Sequence, residues 1–262
     1  MTRCIESLLV PQHKRPCAQP PVYAMPGIHD FVESYLLATL GRGFPGVILD
    51  AGSGPGAFTW RLQQQRFPHL VACDMHPELF AVDGVECRQA DVTRVIPWRD
   101  ASLDVVLLLE VTEHIDGLTQ LFKETHRVLK PGGRLIFTTP NILSIKSRLR
   151  FFWTGYPYSF SPLYDTHPSD VWAHINPLTL DQYILRLRGS GLRCEMFTTD
   201  KWQRSSLFGL MLYPLIHAYT RLIFGPTQAL TWQNSLWMLL GRILLVDARK
   251  EGKSSLRWPL AE

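Results

Sequence analysis

Three acidic residues and three glycines, spaced so that each acid closes an apolar run, are the part of this 262-residue chain best suited to holding a ligand. In Val47-Ile48-Leu49-Asp50-Ala51-Gly52-Ser53-Gly54-Pro55-Gly56 the apolar run ends at Asp50, and glycines follow at 52, 54 and 56. Such glycines let the backbone turn sharply and approach a ligand with no Cβ in the way. A helix over about 57–65 then points its unpaired N–H groups at whatever lies over the loop, which favours an anionic or carboxylate-bearing group. Leu70-Val71-Ala72-Cys73-Asp74 is a second buried run, ending in an acid about 20 residues on, where a carboxylate binds ribose hydroxyls. Val85 to Asp91 is a third. The glycine spacing is G-x-G-x-G, one residue short of the dinucleotide fingerprint G-x-G-x-x-G, which disfavours a dinucleotide oxidoreductase.

These acids need a scaffold, and the chain is long enough to bury a sizeable core in one domain. Charged residues make up 19% and hydrophobic ones 46%, which argues against disorder. A net charge of +4 is too small to establish nucleic-acid binding, and none is expected. The five cysteines (Cys4, Cys17, Cys73, Cys87, Cys194) form no C-x-x-C pair and read as reduced residues of a cytoplasmic protein. Ile5 to Val10 contains Glu6 and is cut by Pro11, so no signal peptide is expected. Residues 11–27 read as an arm or a strap over the site. Asp30 and Glu33 form a D-x-x-E capping pattern, with Phe31, Tyr35, Leu36 and Leu40 at helical spacing behind it.

Further along, Leu103 to Glu110 leads into Glu110-Val111-Thr112-Glu113-His114-Ile115, followed by Leu121 to Leu129, Lys130-Pro131-Gly132-Gly133 and the strand Arg134 to Thr139. In this order the segments resemble the class I S-adenosylmethionine-dependent methyltransferases, closely over 46–141 and more loosely over 174–250. The resemblance implies an α/β fold: a Rossmann-like three-layer sandwich with a mostly parallel seven-stranded sheet, its last strand antiparallel. The expected organisation is 1–45 arm and cap helix, 46–141 cofactor-binding core, 142–176 lid, 177–250 C-terminal half with an apolar insertion at 205–235, and 251–262 tail.

In the lid, Lys146, Arg148 and Arg150 lie beside Phe151, Phe152 and Trp153, then Tyr156, Tyr158, Phe160 and Tyr164. This mix can grip a phosphate-bearing acceptor, sit at a membrane surface, or be a solvated face over packed rings. Thr179 and Gln182 predict a capping box for a helix to Ser190 with Tyr183, Ile184 and Leu187 inward, before a strand at Leu192 to Thr199. Leu207 to Phe224 is unusually apolar, interrupted by Pro214, His217 and Arg221, and too short to span a bilayer. It is expected to be buried or interfacial, flanked by Trp202, Tyr219 and Trp232 with Lys201 and Arg204. Leu239 to Ala248 reads as the last strand.

The resemblance further implies methyl transfer to a nucleophile, with S-adenosyl-L-methionine as cofactor. Carried over residue by residue, Gly52, Ser53, Gly54 and Gly56 approach the methionine portion, with Asp50 and Glu110 flanking it. Asp74 holds the ribose hydroxyls, Met75 packs on the adenine face, Asp91 accepts from the adenine amino group, and the Val92 backbone N–H donates to the ring. His114, with an ordinary near-neutral pKa, and His174 are the candidate bases. Glu110, Glu113 and His114 also resemble an E-x-x-E-H box that holds a divalent cation in some subfamilies, but two carboxylates and one imidazole are a weak signature, and no metal is expected. The reading is O-methylation of a glycan- or quinone-like hydroxyl on a small-molecule or lipid-linked acceptor, in the cytoplasm, with peripheral contact at the inner membrane surface left open. The alternative is a non-catalytic S-adenosylmethionine-binding module acting as a partner or scaffold.

Overall fold

The computed structural model describes residues 19–163, 173–200, 208–225 and 232–251. Its seven strands are β1 (Ile48–Ala51), β2 (Leu70–Asp74), β3 (Glu86–Gln89), β4 (Leu103–Leu109), β5 (Leu129–Pro140), β6 (Leu192–Thr199) and β7 (Ile243–Lys250). They form one sheet in the order β3-β2-β1-β4-β5-β7-β6. β7 pairs antiparallel with both β5 and β6, and the other pairings are parallel. The strand order reverses at β1, so the crevice outside the carboxyl ends of β1 and β4 is the place where a sheet of this kind binds its ligand.

Helices cover both faces because β1, β4 and β5 are apolar on both sides. On one face α1 (Ile28–Thr39) and α2 (Ala57–Gln64) bury Ile28, Val32, Leu36, Phe58 and Leu62 against Ile48, Val105, Leu107 and Ile136. On the other, α3 (Leu118–Val128) and α5 (Leu180–Gly189) bury Leu121, Phe122, Tyr183 and Leu187 against Leu49, Val106, Leu108 and Phe137. Each such side chain removed from water contributes about 1.5–3 kcal/mol. The Phe137 ring lies 5.7 Å from Phe122 and 5.2 Å from Tyr183, within the range of favourable aromatic contacts. The remaining helices are α4 (Ile145–Thr154), α6 (Tyr213–Phe224) and the short α7 (Leu236–Leu240).

β2 and β6 have the bounds read from sequence, and α5 carries its capping box, with Thr179 N donating to Gln182 Oε1 at 2.9 Å. Three expectations need correction. Asp30 and Glu33 do not cap α1, which starts at Ile28 after a left-handed Gly27; both instead pair with Arg61 on α2. The last strand begins at Ile243 rather than Leu239, because 236–240 coil into α7. Arg148 is not a solvated lid cation. It donates to Leu143 O, Asn234 Oδ1 and Gln233 O, and burial pulls its pKa down to about 10. Lys146 and Arg150 do lie against a ring, with Nζ 3.9 Å and Cζ 5.9 Å from the Tyr158 centroid. Cys73, Cys87 and Cys194 are free thiols. Cys4, Cys17, Tyr164, Lys201, Trp202, Arg204 and Leu207 lie outside the described residues.

Candidate active site

The loop after β1 is tied down before it reaches any ligand. Gly52 N and Ser53 N donate to Cys73 O on β2 at 2.8 and 3.2 Å, and the Ser53 hydroxyl lies 3.9 Å from Cys87 Sγ on β3. Gly52 has φ +76°, and a Cβ there would meet Val111 Cγ2 at 2.6 Å, so the β1 and β4 loops abut through this glycine. At Gly54, φ +52°, a Cβ would meet only Tyr23 Cδ2 at 3.9 Å. Tyr23, which nothing in the sequence pattern singled out, therefore lies beside the loop at Gly54.

The carboxylates differ in how they are held. Asp74 accepts from Gly54 N at 2.8 Å through Oδ2 and from His76 N at 2.9 Å through Oδ1. One lone pair of each oxygen is used and one remains, so two vicinal hydroxyls can still be received side by side. Asp50 is buried and accepts from Thr59 Oγ1 at 2.6 Å. Burial, together with the nearby Asp74 charge, raises its pKa to about 6. Asp91 serves its own turn: Thr93 N and Oγ1 donate to Oδ1 at 3.0 and 2.5 Å, and Arg94 Nε lies 3.2 Å from Oδ2. Val92 is buried beside it, whereas Met75 is 48% exposed and presents apolar surface next to Asp74. These groups fit an adenosine bearing a charged amino-acid tail: an anion set for the ribose, open backbone at Gly54 and a free apolar face, while Gly56, like Gly52, packs against protein, with Val82 Cγ2 2.6 Å from where its Cβ would go.

The end of β4 is strained. Glu110 has φ +55°, a conformation that costs a residue with a side chain roughly 1–2 kcal/mol. Its N–H donates to Thr138 Oγ1 at 3.0 Å, while its buried Oε1 has no partner, and burial raises its pKa to about 7. The turn delivers Glu113 into the interior, fully buried, with neither carboxylate oxygen hydrogen-bonded and its pKa pushed well up by burial and by Glu110.

His114 and His174, 60 residues apart in sequence, meet here with ring centroids 4.6 Å apart. Residues 175 and 176 are fastened to the 112–115 turn: Ile175 N and Asn176 N donate to Glu113 O at 2.8 and 3.0 Å, and Asn176 Nδ2 donates to Ile115 O. His114 Nδ1 lies 3.0 Å from Ala173 O. A carbonyl only accepts, so Nδ1 carries the proton and Nε2 keeps its lone pair. Burial, then the neighbouring His174, lowers the His114 pKa to about 4, and burial also lowers that of His174. The ordinary near-neutral pKa expected of His114 is therefore not what its surroundings give.

Residues 49–137 match the family described as a methyltransferase domain. Among curated proteins, the chain is 31% identical over 147 residues to the malonyl-[acyl-carrier protein] O-methyltransferase of Erwinia billingiae, covering 53% of this chain and 57% of that protein. It is 29% identical over 103 residues to the ubiquinone biosynthesis O-methyltransferase of Xylella fastidiosa, covering 36% and 42%. The chain thus spans only about half the length of these two relatives. A solved S-adenosylmethionine-dependent methyltransferase from Archaeoglobus fulgidus shares the fold, with TM-score 0.56 at 16% identity over 85% of this chain and 94% of that one. The domain match, the reversal of strand order at β1 and the antiparallel β7 agree: residues 49–137 match a methyltransferase domain, and they sit in the fold shared by solved S-adenosylmethionine-dependent methyltransferases.

Proposed function

We propose that this chain transfers a methyl group from S-adenosylmethionine to an oxygen of a small-molecule or lipid-linked acceptor, with a glycan- or quinone-like hydroxyl as the favoured class. The observation that carries the reading is Asp74, aimed by Gly54 N and His76 N beside the open cradle at Gly54. The bound cofactor supplies an activated sulfonium methyl group, so the protein's work is alignment and removal of the acceptor's proton. Asp74 binds the ribose, Met75 and Val92 flank the adenine, and Asp50 and Glu110 face the charged amino-acid end. In this reading Asp91 accepts from the adenine amino group through Oδ2, since both Thr93 bonds fall on Oδ1 and only the exposed Arg94 lies by Oδ2, and the Val92 backbone N–H donates to the ring. His114 and His174 stand on the acceptor side, each offering a neutral ring nitrogen.

Support for oxygen as the target comes from the two relatives named above, both O-methyltransferases. Support for a lipid-linked acceptor or a membrane-surface contact comes from α6, none of whose residues is buried, and from the lid, where Phe152 and Trp153 are 75% and 79% exposed. Labelled donor incubated with lipid, glycan and metabolite fractions tests the reading. Transfer of label with release of S-adenosylhomocysteine is the expected result, whereas cofactor binding with no turnover on any fraction would leave only a binding module. His114→Ala is expected to lower turnover by about a hundredfold or more with cofactor affinity unchanged. A rate near wild type at saturating acceptor would remove His114 from the reaction.

A further inference from the structure

Glu113, His114 and His174 each direct one ligand atom into the same small space, and those three atoms all lie within 4.8 Å of one another. A single ion about 2.0–2.4 Å from each donor fits such a separation. We propose that these three residues form a site for one divalent first-row transition ion, such as Mn²⁺, Fe²⁺, Co²⁺ or Zn²⁺.

The interior of this turn holds more unmet acceptor capacity than protein alone satisfies. Both oxygens of Glu113 are buried without a hydrogen bond, His174 Nδ1 is likewise buried without a partner, and so is Glu110 Oε1 three residues earlier. Leaving a buried polar group unmade costs about 1–3 kcal/mol, and more for a charged one, so the Glu113 oxygens and His174 Nδ1 together call for an occupant. The His114 ring has the orientation of a ligating imidazole: Nδ1–H is spent on the Ala173 carbonyl, which fixes the ring and leaves Nε2 free. His174 is held in range by backbone bonds from Ile175 and Asn176 to Glu113 O, which do not involve its imidazole. Two imidazoles and one carboxylate suit transition ions rather than Ca²⁺ or Mg²⁺, which take oxygen donors. Three protein ligands leave coordination positions open, as at catalytic rather than closed structural sites.

The ion's presence rests on this donor geometry alone. Its chemical use rests on the proposed function: with His114 and His174 as ligands rather than bases, an acceptor oxygen bound at an open position would be placed near the methyl donor and would lose its proton more readily.

The test uses the untagged full chain, stripped with chelator and titrated with Co²⁺ and Mn²⁺ in the absence of cofactor. Calorimetry and the visible absorption of protein-bound Co²⁺ are the readouts. One ion per chain is expected, excess Ca²⁺ should not displace it, and His174→Ala and Glu113→Gln should each weaken binding by about tenfold or more. Absence of Co²⁺ and Mn²⁺ binding, or equal affinity in a folded His174→Ala protein, overturns the site. Should Glu113→Gln fail to fold, His174→Ala decides alone. S-adenosylmethionine binding is measured separately on the same metal-free sample. Cofactor binding without ion binding removes the metal site and leaves the methyltransferase reading standing, and the reverse removes the cofactor assignment while keeping the site.

Discussion

Asp50 sits where burial opposes its charge, and its sign can be followed through pH. Unfolded, it titrates near 3.8; folded, near 6. Between those values the native protein holds a proton that the unfolded chain has lost, so this carboxyl's contribution to stability is full below about 4 and declines as pH rises to about 6. The loss is at most about 3 kcal/mol. Asn at this position can still accept from Thr59 Oγ1, so Asp50→Asn should flatten that slope. Urea unfolding of both proteins at pH 4.5 and 7 measures it, and parallel slopes would mean that Asp50 is not the group responsible. For the same reason, affinity for a ligand with a cationic amino group should rise as pH passes through about 6, and calorimetry should show the rise only in wild type.

Asp74 was legible from its place at the end of an apolar run, because a carboxylate there has little to do in a core. Replacing it with Asn, which can still accept from Gly54 N, should weaken S-adenosylmethionine and S-adenosylhomocysteine about tenfold or more, since charge-assisted bonds are worth about 1.5–3 kcal/mol each. Undiminished calorimetric affinity in a folded variant would remove Asp74 from the ribose role. Asp91, at the end of the next strand, reads the same way in sequence, but its Oδ1 takes both Thr93 bonds while Oδ2 has only Arg94 nearby. Local turn chemistry is the difference, and it depends on rotamers that spacing does not encode. His114 shows a similar limit: its type and place are visible, but burial and the arrival of His174 move its pKa.

At the scale of elements, strands were easier to read than their caps. Apolar runs bounded by acids or glycines define β2 and β6 directly, whereas the carboxylates of Asp30 and Glu33 have two uses, capping a helix or meeting Arg61 across to α2, and only packing chooses between them. The docking of residues 175 and 176 onto the 112–115 turn was invisible for another reason: backbone bonds from Ile175 and Asn176 to Glu113 leave no side-chain signature. Left-handed glycines, by contrast, offer a graded test. Gly132, φ +78°, has open space where a Cβ would go, while Gly52, φ +76°, has Val111 at 2.6 Å. Ala at either position pays for the left-handed backbone, about 1 kcal/mol, and Gly52→Ala adds a clash worth about 1–3 kcal/mol more. Thermal unfolding should therefore rank Gly52→Ala below Gly132→Ala, and only the former should impair cofactor binding. Equal losses would mean that the β1 and β4 loops yield to each other without strain.

Across the whole molecule, apolar surface is unevenly distributed. Leu215, Leu222, Ile223 and Phe224 on α6 are 66%, 80%, 53% and 62% exposed, and Met211 just before it is 84% exposed. Isolated apolar residues on a surface need no explanation, but a run along one helix marks a place that meets something else. No helix among the described residues is long and apolar enough to cross a membrane, so a bilayer contact here would lie in the interface. Tyr219 on the same helix, 66% exposed, and Arg221 are the amphipathic and cationic types that anchor such helices at headgroup level, and the net charge of +4 favours an anionic surface. Co-sedimentation with anionic vesicles should therefore retain the wild-type chain at low salt and release it at high salt, as screening weakens the cationic contribution. Leu222→Glu places a charge on the most exposed of the helix's apolar positions, where it removes no buried contact, so the variant should fold normally and bind vesicles several-fold more weakly. Wild-type protein left in the supernatant at low salt would reject the membrane contact. Loss of thermal stability in Leu222→Glu would show instead that this face is covered by the protein's own chain.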